Sequence, residues 1–379
     1  MTSRYLPFNR PYLTGREFSN MNQAVENLHL SGGGPFTRMC HDWLKQHLGV
    51  RHALLTHSCT AALEMAALLL ELQPGDEIVM PSFTFVSTAS AFALRGARPV
   101  FVDVRADTLN LDERAVEPAL TDRTRAIVAV HYAGVPCDMD ALASIAAHCR
   151  IPLVEDAAQA LGSTYHGRPA GSLGDIAALS FHETKNVISG EGGALLLDAD
   201  RFAERAEIIW EKGTDRSRFL RGQVDKYTWV DLGSSFLPGE LIAAFLHAQM
   251  LEAHEITRRR REVWGWYFER CADLEQRGRL RRPIVPAGCE HNAHMFYVLV
   301  RDLDTRTRLI AALNSDGVNA VFHYVPLHSS PAGRRFGRTS GSLSHTVSVS
   351  DRLVRLPLWI GMEQDDVDRV AAVIERTLE

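Results

Sequence analysis

Between residues 50 and 200 the chain alternates short apolar runs with stretches of helical spacing. Ala53–Thr56, Glu77–Met80, Pro99–Val102, Ala126–His131, Leu153–Asp156, Ala177–Phe181 and Ala194–Leu197 are predicted strands. Most are apolar on both faces, the pattern of buried, mainly parallel strands covered on each side. Thr60–Leu72, Phe83–Leu94, Glu113–Leu120 and Met139–His148 are predicted helices, and Asp138 stands at the N-cap of the last. The alternation predicts an α/β fold: a mostly parallel central sheet flanked by helices.

Beyond Leu197 the pattern changes. Phe202–Glu211 reads as helix, Gly213–Gly233 as a polar loop, Glu240–Leu251 as helix, and Ile256–Gln276 as a long charged helix. Pro283, Pro286 and Gly288 mark a turn or linker in Arg281–Cys289. Ala293–Val300, Thr305–Leu313 and Ala320–His323 then read strand, helix, strand, and Asp365–Leu378 is a closing amphipathic helix. The expected division is a large α/β domain over 1–255 and a smaller C-terminal α/β domain over 256–379.

The 379 residues are 46% hydrophobic and carry a formal charge of -5, which suits sizeable cores and argues against binding nucleic acid by bulk positive charge. Met1–Phe8 lacks the features of a signal peptide, and no apolar run is long enough to span a membrane. Six cysteines (40, 59, 137, 149, 271 and 289) form no metal-ligand spacing and read as free thiols of a cytoplasmic protein. No metal is expected: His291 and His294 lack further ligands in pattern. Arg258–Arg261 reads as a solvated helix face, with Glu262, Trp264 and Trp266 following in helical rhythm.

Of 41 basic residues only Lys45, Lys185, Lys212 and Lys226 are lysines. Lysine forms imines and arginine does not, so each surviving lysine is a candidate for chemistry. Three segments close strands of the predicted sheet. Ser58-Cys59-Thr60 opens a helix, either as an ordinary N-cap or as a phosphate cradle. Glu155 and Asp156 end an apolar strand, where a carboxylate either caps the next segment or pairs with a cation. Lys185 follows Ser180-Phe181-His182 and precedes Gly190-Glu191-Gly192-Gly193. A phosphate cradle, a carboxylate and a lysine at one sheet edge are the fixed points that pyridoxal phosphate (PLP) requires.

Those segments, with Pro81-Ser82-Phe83-Thr84-Phe85, Val154–Gln159, Lys185-Asn186 and His323-Tyr324-Val325-Pro326-Leu327-His328, resemble the nucleotide-sugar aminotransferases, a branch of the fold-type-I PLP enzymes. The resemblance spans nearly the whole chain. It implies that Lys185 is the Schiff-base lysine and proton shuttle and that Asp156 pairs with the ring nitrogen. It places Gln159 near the ring oxygen, Phe85 on the ring face, and Ser58, Cys59, Thr60, Ser180 and His182 around the cofactor. Ser235 would reach the phosphate from a neighbouring subunit, which implies a homodimer with shared active sites. Arg218, Arg221, Tyr227, His323, Tyr324 and His328 are the implied substrate contacts. Two departures stand out. Cys59 replaces a common glycine, and Gly233-Ser234-Ser235-Phe236-Leu237 lacks the family's frequent asparagine and arginine.

Arg221–Trp229 and Asn292–Tyr297 bring the resemblance closer to members acting on dTDP-linked 4-keto-6-deoxy sugars. The implied reaction moves the amine of L-glutamate to C4 of dTDP-4-dehydro-6-deoxyglucose, giving dTDP-4-amino-4,6-dideoxygalactose and 2-oxoglutarate. The C4 epimer is the competing product, and a non-catalytic cofactor- or sugar-binding regulator the competing class. Lys185 stands against a dehydratase, whose relatives carry histidine there.

Overall fold

The computed structural model describes residues 4–379, so the first three residues of the Met1–Phe8 stretch lie outside the described residues. The first strands are β1 (His52–Thr56), β2 (Glu77–Pro81), β3 (Arg98–Val102), β4 (Thr124–Val130) and β5 (Leu153–Asp156). A short hairpin, β6 (Thr164–Tyr165) and β7 (Arg168–Pro169), precedes β8 (Ile176–Ser180) and β9 (Gly193–Leu197). The C-terminal part holds β10 (Cys289–Glu290), β11 (Phe296–Leu299), β12 (Arg338–Thr339) and β13 (Leu353–Leu356). The seven predicted strands agree with β1–β5, β8 and β9 to within a residue or two, because each is built on a buried apolar run.

The main sheet has eight strands in the order β1-β9-β8-β5-β4-β2-β3-β12. All neighbours are parallel except β9, which runs antiparallel to both β1 and β8. Alternate side chains feed opposite layers. Val154, Ala178 and Leu195 pack with Ala62, Leu63 and Ala66 of the Cys59–Leu69 helix. Leu153 packs with Leu142 and Ala146, and Leu179 and Leu196 pack with Leu44, Leu48 and Met250. A separate core surrounds the antiparallel pair β11 and β13, where Phe296, Val298 and Leu356 meet Tyr267, Leu309, Val370 and Ile374.

Two expectations are corrected. Glu113–Leu120 is not one helix but two 3-10 turns, Glu113–Ala115 and Glu117–Ala119. Pro118, which has no N–H to donate, interrupts helical bonding there. Ala320–His323 forms a single bridge, Val321 with Arg355, rather than a strand. The sequence pattern also missed the Glu17–Glu26 and Pro35–Leu48 helices, the Ser344–Arg352 helix and β13.

Candidate active site

The parallel direction of β1, β2, β4, β5 and β8 brings their carboxyl ends to one edge of the sheet. A cavity of about 610 Å³ opens there. At β1 the chain turns through Ser58, whose hydroxyl caps the Cys59–Leu69 helix by accepting from Ala61 N at 3.1 Å. The first amides of that helix, with Cys59 and Thr60, line the cavity. Thr60 Oγ1 lies 2.7 Å from Ser87 Oγ, so two hydroxyls stand beside the helix N-terminus. Gly193 starts β9 opposite Thr56, and a Cβ there would come within 2.4 Å of Cys59 N. Only glycine lets β9 lie this close to the helix start.

Glu155 and Asp156 are adjacent on β5 and face opposite ways. Glu155 is buried and structural. Its oxygens accept from His131 Nε2 and from the amides of Gly171, Leu173 and Gly174, all at 2.7–2.8 Å. Asp156 lines the cavity. Thr84 Oγ1 and Thr88 Oγ1 are 2.8 Å apart, and Thr88 donates to Asp156 Oδ2 at 2.7 Å. The amide of Ala158 donates to Oδ1 at 3.2 Å. Donors on both oxygens fix the orientation of the carboxylate.

Lys185 lies in the reversing connection from β8 to β9, which is why it sits at this edge. Backbone bonds Phe181 N to Gly192 O (2.8 Å), Ser189 N to Phe181 O (2.7 Å) and Lys185 N to His182 O (2.8 Å) shape the connection. Among the described residues, Lys185 Nζ makes no hydrogen bond or ion pair. Burial lowers its pKa, the neighbouring Cys59 and Asp156 oppose that, and the Arg355 charge reinforces it. A lowered pKa raises the fraction of neutral amine, the form that attacks a carbonyl.

Another part of the lining combines the segment after β5 with residues of the C-terminal part. Gln159 is fixed in orientation: its Oε1 accepts from Ala133 N at 2.7 Å and its Nε2 donates to Tyr324 OH at 3.0 Å. His323 Nδ1 is 3.0 Å from Tyr132 OH. Asn186 Nδ2 donates to Asn292 O at 2.8 Å, so its Oδ1 is the acceptor for His294 Nδ1 at 3.2 Å. That leaves His294 Nε2 as an acceptor on a ring lining the cavity. Burial drives both His294 and His323 well below the ordinary imidazole value, and the Lys185 and Arg355 charges add to it. Phe8 and Arg355 complete this part of the lining.

The cavity therefore gathers Ser58, Cys59, Thr60, Phe85, Asp156, Gln159, Ser180, His182, Lys185, His323 and Tyr324, all expected from the sequence. Others lie elsewhere in this chain. Arg218 pairs with Glu204 at 3.5 Å and Arg221 with Glu207 at 2.8 Å, both on the Asp200–Trp210 helix. Tyr227 packs against Phe219, and Ser235 is exposed and bridges Glu211. His328 does not line the cavity: its Nδ1 is 2.7 Å from Ser82 Oγ and its N donates to the same oxygen at 3.0 Å, pinning the following turn to the end of β2. The solvated-face reading of Arg258–Arg261 holds for Arg258 but not for its neighbours. Arg260 is buried and donates to the carbonyls of Ala293 (3.1 Å) and His294 (2.8 Å), while Arg261 donates to His291 O at 2.6 Å. Sequence reasoning missed Arg355, His294, Thr88 and Ser87. The one signal for Arg355 was a charge inside the apolar run Leu353-Val354-Arg355-Leu356.

The residues present fit PLP. An unpartnered lysine amine, a buried carboxylate and a helix N-terminus with flanking hydroxyls line one cavity, and an aromatic, Phe85, stands at its mouth with 56% exposure. The described residues contain no His/Cys/Asp/Glu group able to hold a metal ion, and no helix long and apolar enough to cross a membrane. Comparison with known proteins agrees with this chemistry. The chain is 33% identical over 391 residues to UDP-4-amino-4-deoxy-L-arabinose–oxoglutarate aminotransferase of Shewanella sediminis, covering 99% of this chain and 98% of that one. It superposes on the PLP form of the putative sugar aminotransferase Spr1654 of Streptococcus pneumoniae with a TM-score of 0.91 at 26% identity, covering 99% and 100% of the two chains. It superposes on DesI, solved in the presence of its TDP-sugar product, with a TM-score of 0.88 at 31% identity, covering 99% and 93%. Residues 11–375 match the DegT/DnrJ/EryC1/StrS aminotransferase family, and the chain belongs to that family of PLP-dependent sugar aminotransferases.

Proposed function

We propose that the protein transfers the amine of L-glutamate to C4 of dTDP-4-dehydro-6-deoxyglucose in the cytoplasm, giving dTDP-4-amino-4,6-dideoxygalactose and 2-oxoglutarate. The observation carrying the amine-transfer part is the unpartnered Lys185 amine sharing one cavity with the Thr88-held carboxylate of Asp156 and the helix start at Ser58–Thr60. The sugar part is supported by the resemblance of Arg221–Trp229 and Asn292–Tyr297, and by the likeness to DesI and its TDP-sugar.

When bound, PLP supplies an electron-withdrawing ring that stabilises negative charge on the amine-bearing carbon. Asp156, held by Thr88 and Ala158 N, would pair with the ring nitrogen. Ser58, Cys59, Thr60 and Ser180 would hold the phosphate with the helix amides, and His182 would border them. Gln159 would donate from its fixed amide, and Phe85 would cover a ring face. Lys185 Nζ, its pKa lowered by burial, would take the proton from the donor carbon and, in the second half-reaction, deliver one to the acceptor carbon.

The working unit is proposed to be a homodimer. Arg218, Arg221, Tyr227 and Ser235 lie outside their own cavity, and the same loop exposes Trp229 (73%) and Leu232 (50%). A second subunit that covers those apolar groups would receive the four residues at its own cavity. The deciding experiment follows the visible cofactor band on adding L-glutamate, then the NMR stereochemistry of the product from dTDP-4-dehydro-6-deoxyglucose. An equatorial C4 amine would establish the glucose-configured epimer. A band that glutamate does not bleach would remove the donor assignment.

A further inference from the structure

Arg355 has no anionic partner. It lies on β13 between Val354 and Leu356, which point into the C-terminal core, so its own side chain faces the other way, into the cavity. Its backbone is satisfied by Val321 on both sides, at 2.7 Å and 3.2 Å. Its side chain makes no hydrogen bond or ion pair among the described residues, and Nε is buried without a partner. The guanidinium lies 4.5 Å from the ring centroid of Phe8, which fixes one face by cation–π attraction and leaves the donor edge free. The groups whose charge it feels include Tyr132 and Tyr324, and no carboxylate is among them. A buried guanidinium stays charged, and leaving it unpaired is costly unless a ligand completes it.

The planar fork matches a carboxylate held by two parallel hydrogen bonds. Ser58–Thr60 stand at the helix start, whereas Arg355 comes from the C-terminal part with His294 and His323, and its charge acts on both of them and on Lys185. Of the anions this site handles, the one required beside Lys185 rather than at the helix start is that of the amino donor. We propose that Arg355 is the receptor for a carboxylate of the amino donor, and that it sets the preference of this enzyme for acidic amine donors. The two phenolic side chains beside it and the Phe8 ring exclude water from the pair. The nucleotide sugar carries no carboxylate, so the fork acts chiefly in the donor half-reaction. This inference rests on the aminotransferase reading above.

The test uses the cofactor-loaded protein and a non-reacting probe. Glutarate and its neutral analogue glutaramide are titrated by calorimetry into wild type, Arg355→Met and Arg355→Lys. Wild type should bind glutarate at least about tenfold tighter than glutaramide, and Arg355→Met should lose about 10- to 100-fold in glutarate affinity, with Arg355→Lys recovering part of it. In single-turnover assays the loss in the glutamate half-reaction should exceed the loss in the nucleotide-sugar half-reaction by about tenfold. Equal binding of glutarate and glutaramide by wild type overturns the proposal without any variant, and so do equal losses in the two half-reactions. If wild type takes its amine equally well from an uncharged donor, the glutamate reading falls. If wild type uses glutamate and Arg355→Met uses it equally well, that reading stands and the role of Arg355 falls.

Discussion

Glu155 and Asp156 are neighbours on one strand, yet their isosteric amides should fail in different ways. Glu155 Oε1 accepts from Leu173 N and Gly174 N, and Oε2 accepts from Gly171 N and His131 Nε2. In Glu155→Gln one oxygen becomes an NH2 group. Whichever way the amide turns, it sets a donor against two buried donors. Each stranded group costs about 1–3 kcal/mol, so the variant should lose about 2–6 kcal/mol. Asp156 makes fewer bonds, and in Asp156→Asn the amide oxygen still accepts from Thr88 or from Ala158 N. That substitution removes the charge facing the cofactor, where a lost ion pair shifts a pKa by about 1–3 units. At about 1.4 kcal/mol per unit, turnover should drop about 10- to 1,000-fold with the fold retained. Urea unfolding followed by fluorescence reads the first effect at its earliest transition, and single-turnover bleaching by glutamate reads the second. A Glu155→Gln protein within about 1 kcal/mol of wild type, or an Asp156→Asn protein with wild-type turnover, would refute the division of labour between the two faces.

Lys185→Arg and Lys185→Ala should both abolish transamination, since neither side chain forms an imine; turnover near wild type in either variant would contradict the role of Lys185. Glu77 is buried and bonded at both oxygens by Arg338, which, with Thr121, holds its pKa at about 2 against an ordinary 4.5. Its folded pKa lies below its unfolded one, so its contribution is present above about pH 4.5 and lost as pH falls toward about 2; an acid titration of stability should show this loss in wild type and less of it in Glu77→Gln. Light scattering at assay concentration should find a dimer, and a fully active monomer would count against shared active sites.

The part of the site on the large sheet was legible because each piece is local. Ser58-Cys59-Thr60, Asp156 and Lys185 each follow a strand whose apolar run marks its end, and parallel strands bring their ends to one edge. The antiparallel course of β9 was not legible, since a buried run has no direction. It nevertheless decides where Lys185 goes, because the lysine lies in the turn that reverses the chain. Arg355 and His294 were illegible for another reason. Their place depends on how the C-terminal part docks, and a charge inside the apolar run Leu353–Leu356 does not say which cavity it enters. Arg218 and Arg221, implied as substrate contacts by the resemblance, each pair within one chain with a glutamate one helix away, so their meeting a substrate depends on a second subunit, which no local pattern marks.

The docking itself has a visible physical basis. Asn292 Nδ2 donates to the carbonyls of Gln159 (2.8 Å) and Leu161 (2.9 Å), just beyond β5, and Asn292 O accepts from Asn186, next to Lys185. Gly134 sits so close to Asn292 Oδ1 that a Cβ there would collide with it, and its positive φ of 80° also favours glycine. From the far side Arg260 grips the carbonyls of residues 293 and 294. One short segment is thus bonded both to the loop after the carboxylate strand and to the residue after the lysine. A buried polar network of this kind adds little net stability, but every bond in it has direction, so it fixes register as apolar packing alone does not. The wall carrying His294 is therefore set relative to Asp156 and Lys185 by named hydrogen bonds. Arg355, on the same C-terminal part, enters the cavity without a partner of its own because that wall is held by others.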